Sequence, residues 1–236
     1  MTTQHHIKNK IVVIIPAYNE EASIGLVLKE IPEIVSEVIV VDNGSTDQTT
    51  AVSKKNGAVT LYQPLRGYGN ACLKGLEYVN HQKIKPDIIV FIDGDYSDYP
   101  SDIEKVIQPI LDNDTDLVIG ARRKELREAG SMTFPQIFGN WLATALMKLF
   151  FNSRFTDLGP LRAIKYDKLM ALEMQDPTYG WTVEMQLKAL KKKYKYAEIP
   201  VRYKKRIGVS KVSGTIKGAI LAGVKILSWI FKYSFK

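Results

Sequence analysis

Five branched apolar residues in succession, Ile11–Ile15, restrict this chain most. A strand with one wet face alternates apolar and polar residues. A run with no polar partner has to be covered on both faces, as in a parallel sheet flanked by helices. Val38–Val41, Ala58–Tyr62, Asp87–Ile92 and Asp116–Ile119 read as further strands, with helical stretches between them. Strands alternating with helices at this rhythm predict βαβ units. The fold class expected is therefore α/β, a Rossmann-like, mainly parallel sheet with helices on both faces. Residues 1–123 form its nucleotide-binding half. With 236 residues, 45% of them hydrophobic, the chain suits one large domain or one domain with an appendage.

The strand tips carry the chemistry. The run Asp87–Ile92 stops at Asp93-Gly94-Asp95. In an open α/β sheet the carboxyl edge is where ligands bind. Two carboxylates separated by one glycine can reach a single hard cation. Mg²⁺ or Mn²⁺ takes a few carboxylates and leaves its other positions to water and diphosphate oxygens. Asp and Gly are also ordinary turn residues, so the pair alone reads equally well as a polar turn. The run Val38–Val41 ends at Asp42-Asn43-Gly44-Ser45-Thr46-Asp47. A carboxylate at that tip, Asp42, can accept hydrogen bonds from a ribose or a base edge, whereas Asp47 suits an N-cap or Asx turn. Arg66-Gly67-Tyr68-Gly69-Asn70 lacks the third glycine of a dinucleotide fingerprint. It can still bring backbone N–H groups close to phosphate at the start of the helix Ala71–Val79.

The chain beyond the acidic turn is less regular. Ser101 and Glu104 have capping-box spacing at a helix start. Lys124–Thr133 is polar, contains Gly130 and reads as a mobile loop. Pro135–Phe151 is helical and apolar almost all round, so it is expected to be buried or to touch lipid. Ala163–Met174 is ambiguous between strand and helix. Thr182–Lys193 is helical, with Glu184 in the first turn, where the helix dipole alone favours an acid. Tyr196–Tyr203 reads as a strand, followed by the basic loop Lys204–Lys211, whose hydroxyl and cationic groups suit a phosphate clamp or, failing that, a solvated loop.

Charge is uneven. From Met185 to Lys236 fourteen Lys and Arg face one acid, Glu198, a net +13; the whole chain carries +8, so the first 184 residues carry −5. A basic tail behind an acidic body points to an anionic partner. Residues 213–236 read as an amphipathic helix. At ~100° per residue, Lys217, Lys225, Ser228 and Lys232 fall within a wedge of about 80°. The rest of the circumference is apolar, from Ile216 to Phe231. The longest stretch without a charge, Gly218–Val224, is well short of the ~20 residues that span a bilayer. A helix lying in the membrane interface is the expectation, with docking on its own protein or in a homo-oligomer as the alternative. The single cysteine, Cys72, excludes an internal disulfide, fits a reducing compartment and reads as core. The N-terminal MTTQHHIKNK lacks the apolar stretch of a signal peptide, and His5 and His6 carry no expected metal role. The expected location is cytoplasmic, peripheral on the inner face of the membrane.

Three ordered motifs, Pro16-Ala17-Tyr18-Asn19-Glu20, Val41-Asp42-Asn43-Gly44-Ser45-Thr46-Asp47 and Asp93-Gly94-Asp95, resemble those of family-two glycosyltransferases. More closely, the chain from about Ile11 to Lys211 resembles the dolichyl- or polyprenyl-phosphate sugar transferases. The resemblance implies a GT-A fold over residues 1–212, with residues 124–212 as the acceptor half. It also implies an inverting mechanism and a nucleotide-sugar donor with Mg²⁺ or Mn²⁺. Carried over by position, Pro16, Ala17, Tyr18, Glu20, Asp42 and Gly69 serve the donor. Asp93 and Asp95 hold the metal and diphosphate. Arg122, Arg162, Arg202, Ser210 and Lys211 surround donor and acceptor phosphates, and Asp157 and Glu184 sit near the sugar, with Asp95 in the catalytic set. Two departures stand out. Tyr96-Ser97-Asp98 replaces the family's further metal contact, leaving Ser97 or Asp98 to complete the shell. The common Asp-Asp-Gly-Ser is Asp42-Asn43-Gly44-Ser45 here. There is no Gln-x-x-Arg-Trp motif and no multi-span region, which argues for transfer of a single sugar.

A lipid-phosphate acceptor is already ionised and needs no strong base, whereas a hydroxyl acceptor would require one, with Asp157 or Glu184 as candidates. The basic loop and the apolar tail favour the lipid phosphate. UDP-glucose and GDP-mannose are both compatible donors. A nucleotidyltransferase would want a Gly-rich triphosphate loop after the first strand, which Pro16–Glu21 is not. A membrane-peripheral binding module with a degenerate site is countered by the intact Asp42, Asp93 and Asp95. Nucleic-acid binding ranks low, because the tail's basic residues interleave with an apolar helix rather than a stacking platform.

Overall fold

The computed structural model describes residues 9–112, 115–208 and 216–234, with side chains in the last segment at 221 and 223–234. Its centre is β1 (Ile11–Ala17), whose residues Ile11–Ile15 are fully buried. Alternate residues of this run point to opposite faces. Val12 and Ile14 join one core with α3 (Tyr68–His81), α5 (Phe134–Phe151), α7 (Trp181–Lys191) and α8 (Ile216–Ser234). Ile11, Val13 and Ile15 join the other, under α1 (Ile24–Lys29) and α4 (Ile103–Leu111). Two filled faces are the reason no polar residue interrupts the run.

The seven strands lie in the order β3-β2-β1-β4-β6-β5-β7. Here β2 is Glu37–Asp42, β3 Val59–Tyr62, β4 Ile88–Phe91, β5 Leu117–Ala121, β6 Arg162–Lys165 and β7 Tyr196–Pro200. All neighbours are parallel except β6, which runs antiparallel to both β4 and β5. The chain passes from β1 to β2 on one side and returns to β4 on the other, so a switch point opens beside β1. In register, Ala17 pairs with Asp42 and Ile14 with Phe91. Pro16, Asp42 and Asp93 therefore gather at one edge.

Several local expectations change. The ambiguous 163–174 stretch is a strand, β6, running straight into α6 (Tyr166–Leu172). The strand expected to reach Tyr203 ends at Pro200, and Tyr203 makes only isolated bridges to Asp98 and Arg127. Ser101 caps nothing: Pro100–Asp102 form a 3₁₀ turn ahead of α4, and the Ser101 hydroxyl accepts from Arg202 at 2.9 Å. The capping box lies instead at α5, between Thr133 and Gln136. The 124–133 loop is tied to the 203–205 segment: Glu128 N–H donates to Tyr203 O at 2.8 Å and Lys205 N–H to Glu128 Oε2 at 3.0 Å. Cys72 is buried in the core, as expected.

Helix α8 sends much of its apolar face inward. Trp229 and Ile230 are buried among α7 and α5 residues. Lys225, placed by periodicity on the polar wedge, turns to the buried Asp176 at 3.1 Å. Leu221, Val224 and Phe231 remain exposed. No helix among the described residues is long and apolar enough to cross a membrane.

Candidate active site

Two cavities meet at the carboxyl edge of the sheet. One, about 390 Å³, is lined by Pro16, Ala17, Tyr18 and Glu20 after β1, by Asn43, Arg66 and Gly67, and by Asp93 and Asp95. The other, about 290 Å³, runs from Asp93 and Asp95 past Arg122 and Tyr203 to Met132, Gln136, Asn140 and Ile226. Asp93, Asp95, Tyr68, Tyr179 and Arg206 line both. The carboxylate pair is thus the wall between a chamber beside β1 and a chamber beneath α5 and α8.

The pair is held firmly on one side and left open on the other. Asp95 Oδ1 accepts from Ser97 N–H at 2.9 Å and from the Ser97 hydroxyl at 2.5 Å. Asp95 Oδ2 lies 3.1 Å from Arg206 Nη2. Asp93 Oδ1 is buried with no hydrogen-bond partner among the described residues. Burial first, and then the charge of Asp95, push the Asp93 carboxyl up to about 7, against the pull of Arg206 and Arg122. Both Asp98 oxygens are likewise buried and unpartnered, and burial with Asp93 and Asp95 raises that carboxyl well above its ordinary value. Between the two residues left open by sequence, Ser97 supports Asp95 by hydrogen bonds and Asp98 is the unsatisfied carboxylate. No cluster of three or more His, Cys, Asp or Glu among the described residues could hold an ion unaided. An orphaned, charge-strained carboxylate beside a second one nonetheless fits a hard cation that completes its shell with substrate oxygens and water.

The β1 side supplies a platform. The Arg66 guanidinium lies 3.5 Å from the centre of the Tyr18 ring. Asn43 pins the loop that carries Arg66: its Nδ2 donates to Gln63 O and Leu65 O at 2.9 and 2.7 Å, and its Oδ1 accepts from Gly67 N–H at 2.8 Å. Asp42 sits at the β2 tip, but its carboxylate is engaged by Ser45 N–H at 2.7 Å and by the Thr50 hydroxyl. Asn43 rather than Asp42 lines the cavity.

Other expected residues go elsewhere. Gly69 N–H and Asn70 N–H donate to Thr178 O and Pro177 O, so the start of α3 is filled by this chain and not open to phosphate. A Cβ at Gly69 would stand 1.8 Å from Asp176 O, which is why glycine is needed there. Arg162 is fully buried and donates to the carbonyls of Leu158, Gly159 and Thr182. Burial lowers it to about 10. It braces the loop before β6 and lines neither cavity. Arg202 is spent on Asp102, at 2.8 Å, and Ser101, away from both cavities. Glu184 is fully buried, accepts from Gln175 and Asp176 N–H groups and pairs with Lys188 at 2.7 Å, so it does not face a sugar. Asp157 makes a two-pronged pair with Arg122, at 2.9 and 2.7 Å. Burial alone would raise Asp157, but Arg122's charge and hydrogen bonds outweigh it and hold the carboxyl below its ordinary range. Ser210 and Lys211 lie outside the described residues.

Arg66, Tyr68, Tyr179 and Arg206 were not singled out as site residues from sequence. Arg206 lay within the basic loop already read as a clamp, and Arg66 and Tyr68 within the Arg66–Asn70 stretch, read there for its backbone N–H groups and not for these side chains; Tyr179 carried no signal, because a segment far away in the chain brings it to the edge.

Three comparisons add to this geometry. A family model described as glycosyl transferase family 2 matches residues 12–172. The chain is 30% identical over 220 residues to a dolichyl-phosphate hexose transferase of Haloferax volcanii, covering 89% of each chain. It is 26% identical over 228 residues to an undecaprenyl-phosphate mannosyltransferase of Micrococcus luteus, covering 91% of this chain and 92% of that one. In three dimensions it resembles glucosyl-3-phosphoglycerate synthase from Mycobacterium tuberculosis, solved with Mn²⁺, uridine diphosphate and glucosyl-3-phosphoglycerate. The TM-score is 0.75 at 22% identity, over 96% of this chain and 80% of that one.

Proposed function

Because the chain belongs to glycosyl transferase family 2, an enzyme family with the GT-A type of fold, we propose that it moves one sugar, with inversion, from a nucleotide-sugar donor to a polyprenyl or dolichyl phosphate. The observation that carries this reading is the placement of Asp93 and Asp95 on the wall shared by two cavities. In this reading residues 1–123 chiefly serve the donor and 124–212 chiefly the acceptor, with Tyr179 and Arg206 reaching the first chamber and Arg122 the second.

The Tyr18–Arg66 platform suits the base or ribose, and Pro16, Ala17 and Glu20 shape the rest of the β1 chamber. Asp93 and Asp95 would hold Mg²⁺ or Mn²⁺, which supplies charge neutralisation to the departing nucleoside diphosphate. Arg206 and Arg122 flank the same point and stabilise developing negative charge without moving far. The second chamber is polar at Arg122, Gln136 and Asn140 and apolar at Met132 and Ile226. That combination suits a phosphate joined to a hydrocarbon chain. Neither Asp157, locked to Arg122, nor Glu184, capping backbone N–H groups, is free to take a proton. This favours an acceptor that arrives ionised over a hydroxyl. The lipid acceptor, the basic C-terminal segment and relatives named for polyprenyl phosphates support work at the inner face of the membrane.

The test is incubation with UDP-glucose or GDP-mannose, Mn²⁺ and a short-chain polyprenyl phosphate, followed by product mass and anomeric configuration. The expected product is the inverted glycosyl phosphate lipid, absent with Asp95→Ala. Transfer to hydroxyl acceptors with none to the lipid phosphate would overturn the assignment of the acceptor. No donor consumption under any metal condition would leave a binding module.

A further inference from the structure

A third cavity, about 540 Å³, lies on the far side of the Arg122–Asp157 pair. Arg123, Lys124, Arg127 and Lys148 line it, against a single carboxylate, Asp157, already engaged by Arg122. Arg123 has its nearest carboxylate, Glu198, at 3.8 Å. Lys124, Arg127 and Lys148 have none within 4.0 Å among the described residues. The remaining walls mix apolar residues, Ile137, Trp141 and Ala145 of α5 among them, with the neutral polar Asn140, Thr144 and Thr156.

The same helix face continues outside the cavity. Phe134, Phe138, Trp141, Ala145 and Leu149 recur every three or four residues, so they form one row. Phe134 is 78% exposed, Trp141 61% and Leu149 73%. The rings of Phe134, Phe138 and Trp141 form a ladder with centroids 6.4 and 5.8 Å apart. Farther round the helix, the exposed Phe150 meets the exposed Phe231 of α8, ring centroids 5.9 Å apart. An exposed apolar row of this length marks a partner surface. Beside it stands a concave cluster of cations, three of which have no carboxylate within 4.0 Å among the described residues, so the partner must offer hydrocarbon and anion side by side. Two copies of the chain packed symmetrically through this face would instead bring their cation clusters together.

We infer that α5 lies in the surface of an anionic bilayer and that the cavity of Arg123, Lys124, Arg127 and Lys148 takes the phosphate headgroup of a bilayer phospholipid, separately from the acceptor. Aromatic rings sit at the headgroup level, and basic side chains close to the surface are drawn to anionic lipid. The inference deepens the functional reading, since a headgroup held here sets the mouth of the second chamber, which shares Arg122, Met132 and Asn140, at the membrane surface.

The experiment is co-sedimentation of the full chain with neutral phosphatidylcholine vesicles and with vesicles containing about one-third phosphatidylglycerol. Wild type should pellet with the second far more than with the first. Lys124→Gln/Arg127→Gln/Lys148→Gln should lose at least tenfold in partitioning to the anionic vesicles while keeping its Tm and nucleotide binding. Phe138→Ser/Trp141→Ser should lose binding to both. Equal pelleting of wild type on both vesicles, unchanged partitioning of the triple variant, or a wild-type dimer that Phe138→Ser dissociates would each overturn the proposal. Transfer to a detergent-dispersed short-chain acceptor uses no bilayer, so loss of that activity would count against the functional reading alone.

Discussion

Arg206 sets Nη2 3.1 Å from Asp95 Oδ2, and the same nitrogen lies 3.4 Å from Glu20 Oε1. The backbone holds it there: Ile207 N–H donates to Asp95 O at 3.0 Å and Lys204 N–H to Ser97 O at 2.9 Å. The guanidinium is therefore the counter-ion of the carboxylate pair in the donor-free protein, and a divalent cation has to compete with it for Asp95. Arg206→Met should bind Mn²⁺ more tightly than wild type in the absence of nucleotide, by about tenfold, equivalent to ~1.4 kcal/mol of lost competition. With donor present the order reverses, because the departing diphosphate loses a stabilising cation, and kcat should fall on the order of 10²-fold. Paramagnetic resonance of free Mn²⁺ reads the first effect and initial rates the second. Unchanged donor-free affinity would show that the two cations do not compete.

Asp93 links the site to pH. Its folded pKa, about 7, lies above the ordinary 3.8, chiefly through burial and then through Asp95. The folded state thus binds the proton more tightly than the unfolded one. The stabilisation from this group is full below about pH 4 and is lost as pH rises to about 7. Asp93→Asn removes the charge that burial disfavours. In chelator, its Tm should exceed that of wild type by more at pH 8 than at pH 5, at about 2–4 °C per kcal/mol for a chain of this size. A gap that does not change between the two pH values would rule out the raised carboxyl.

How much of this was legible in the sequence depends on range. Runs such as Ile11–Ile15 and Asp87–Ile92 announce buried parallel strands, because only a doubly covered strand tolerates them. Pro16, Asp93 and Asp95 followed as strand tips. β6 was not legible: Arg162–Lys165 is short, opens on a buried arginine and enters α6 with no breaker. Arg162 and Glu184 were expected at phosphate and sugar through the family resemblance alone, but backbone carbonyls and N–H groups satisfy both inside the protein. The stretch around Gly67 and Gly69 was expected to bring backbone N–H groups to a phosphate; the group that approaches is instead this chain's own 176–178 segment.

The Arg122–Asp157 pair orders the entrance to the second chamber. Asp157 Oδ2 accepts both Arg122 N–H and Nε–H, and Oδ1 accepts from Nη2. Removing one member of a buried pair strands the other, at a cost of about 3–5 kcal/mol. Asp157→Ala should lower Tm on the order of 10 °C. If Asp157 serves only to hold Arg122, donor KM should change little while kcat falls, since the guanidinium loses its aim. A variant with normal kcat would remove Arg122 from the charge-stabilising set.

Asp176 fastens α8 to the body. Its carboxylate accepts from the Trp229 indole N–H, from Thr178 N–H at 2.7 Å and from Gly180 N–H at 3.1 Å, and it pairs with Lys225 at 3.1 Å. Burial would raise this carboxyl, but the Trp229, Thr178 and Lys225 contacts together hold it below 3.8. A depressed folded pKa means that its stabilisation is present above about pH 4 and lost as pH falls below that value. Helix α8 should then come loose in acid before the sheet does. Limited proteolysis across pH 3 to 7 should show cleavage around α8 appearing below pH 4 in wild type and already at pH 7 in Asp176→Ala. Gly180→Ala offers an independent check, because the added Cβ would stand 2.4 Å from Trp229 Nε1 and 2.5 Å from Asp176 Oδ2. If both variants keep α8 as protected as wild type at pH 7, the helix is held by its apolar contacts with α5 and α7 alone, and Asp176 is not its anchor.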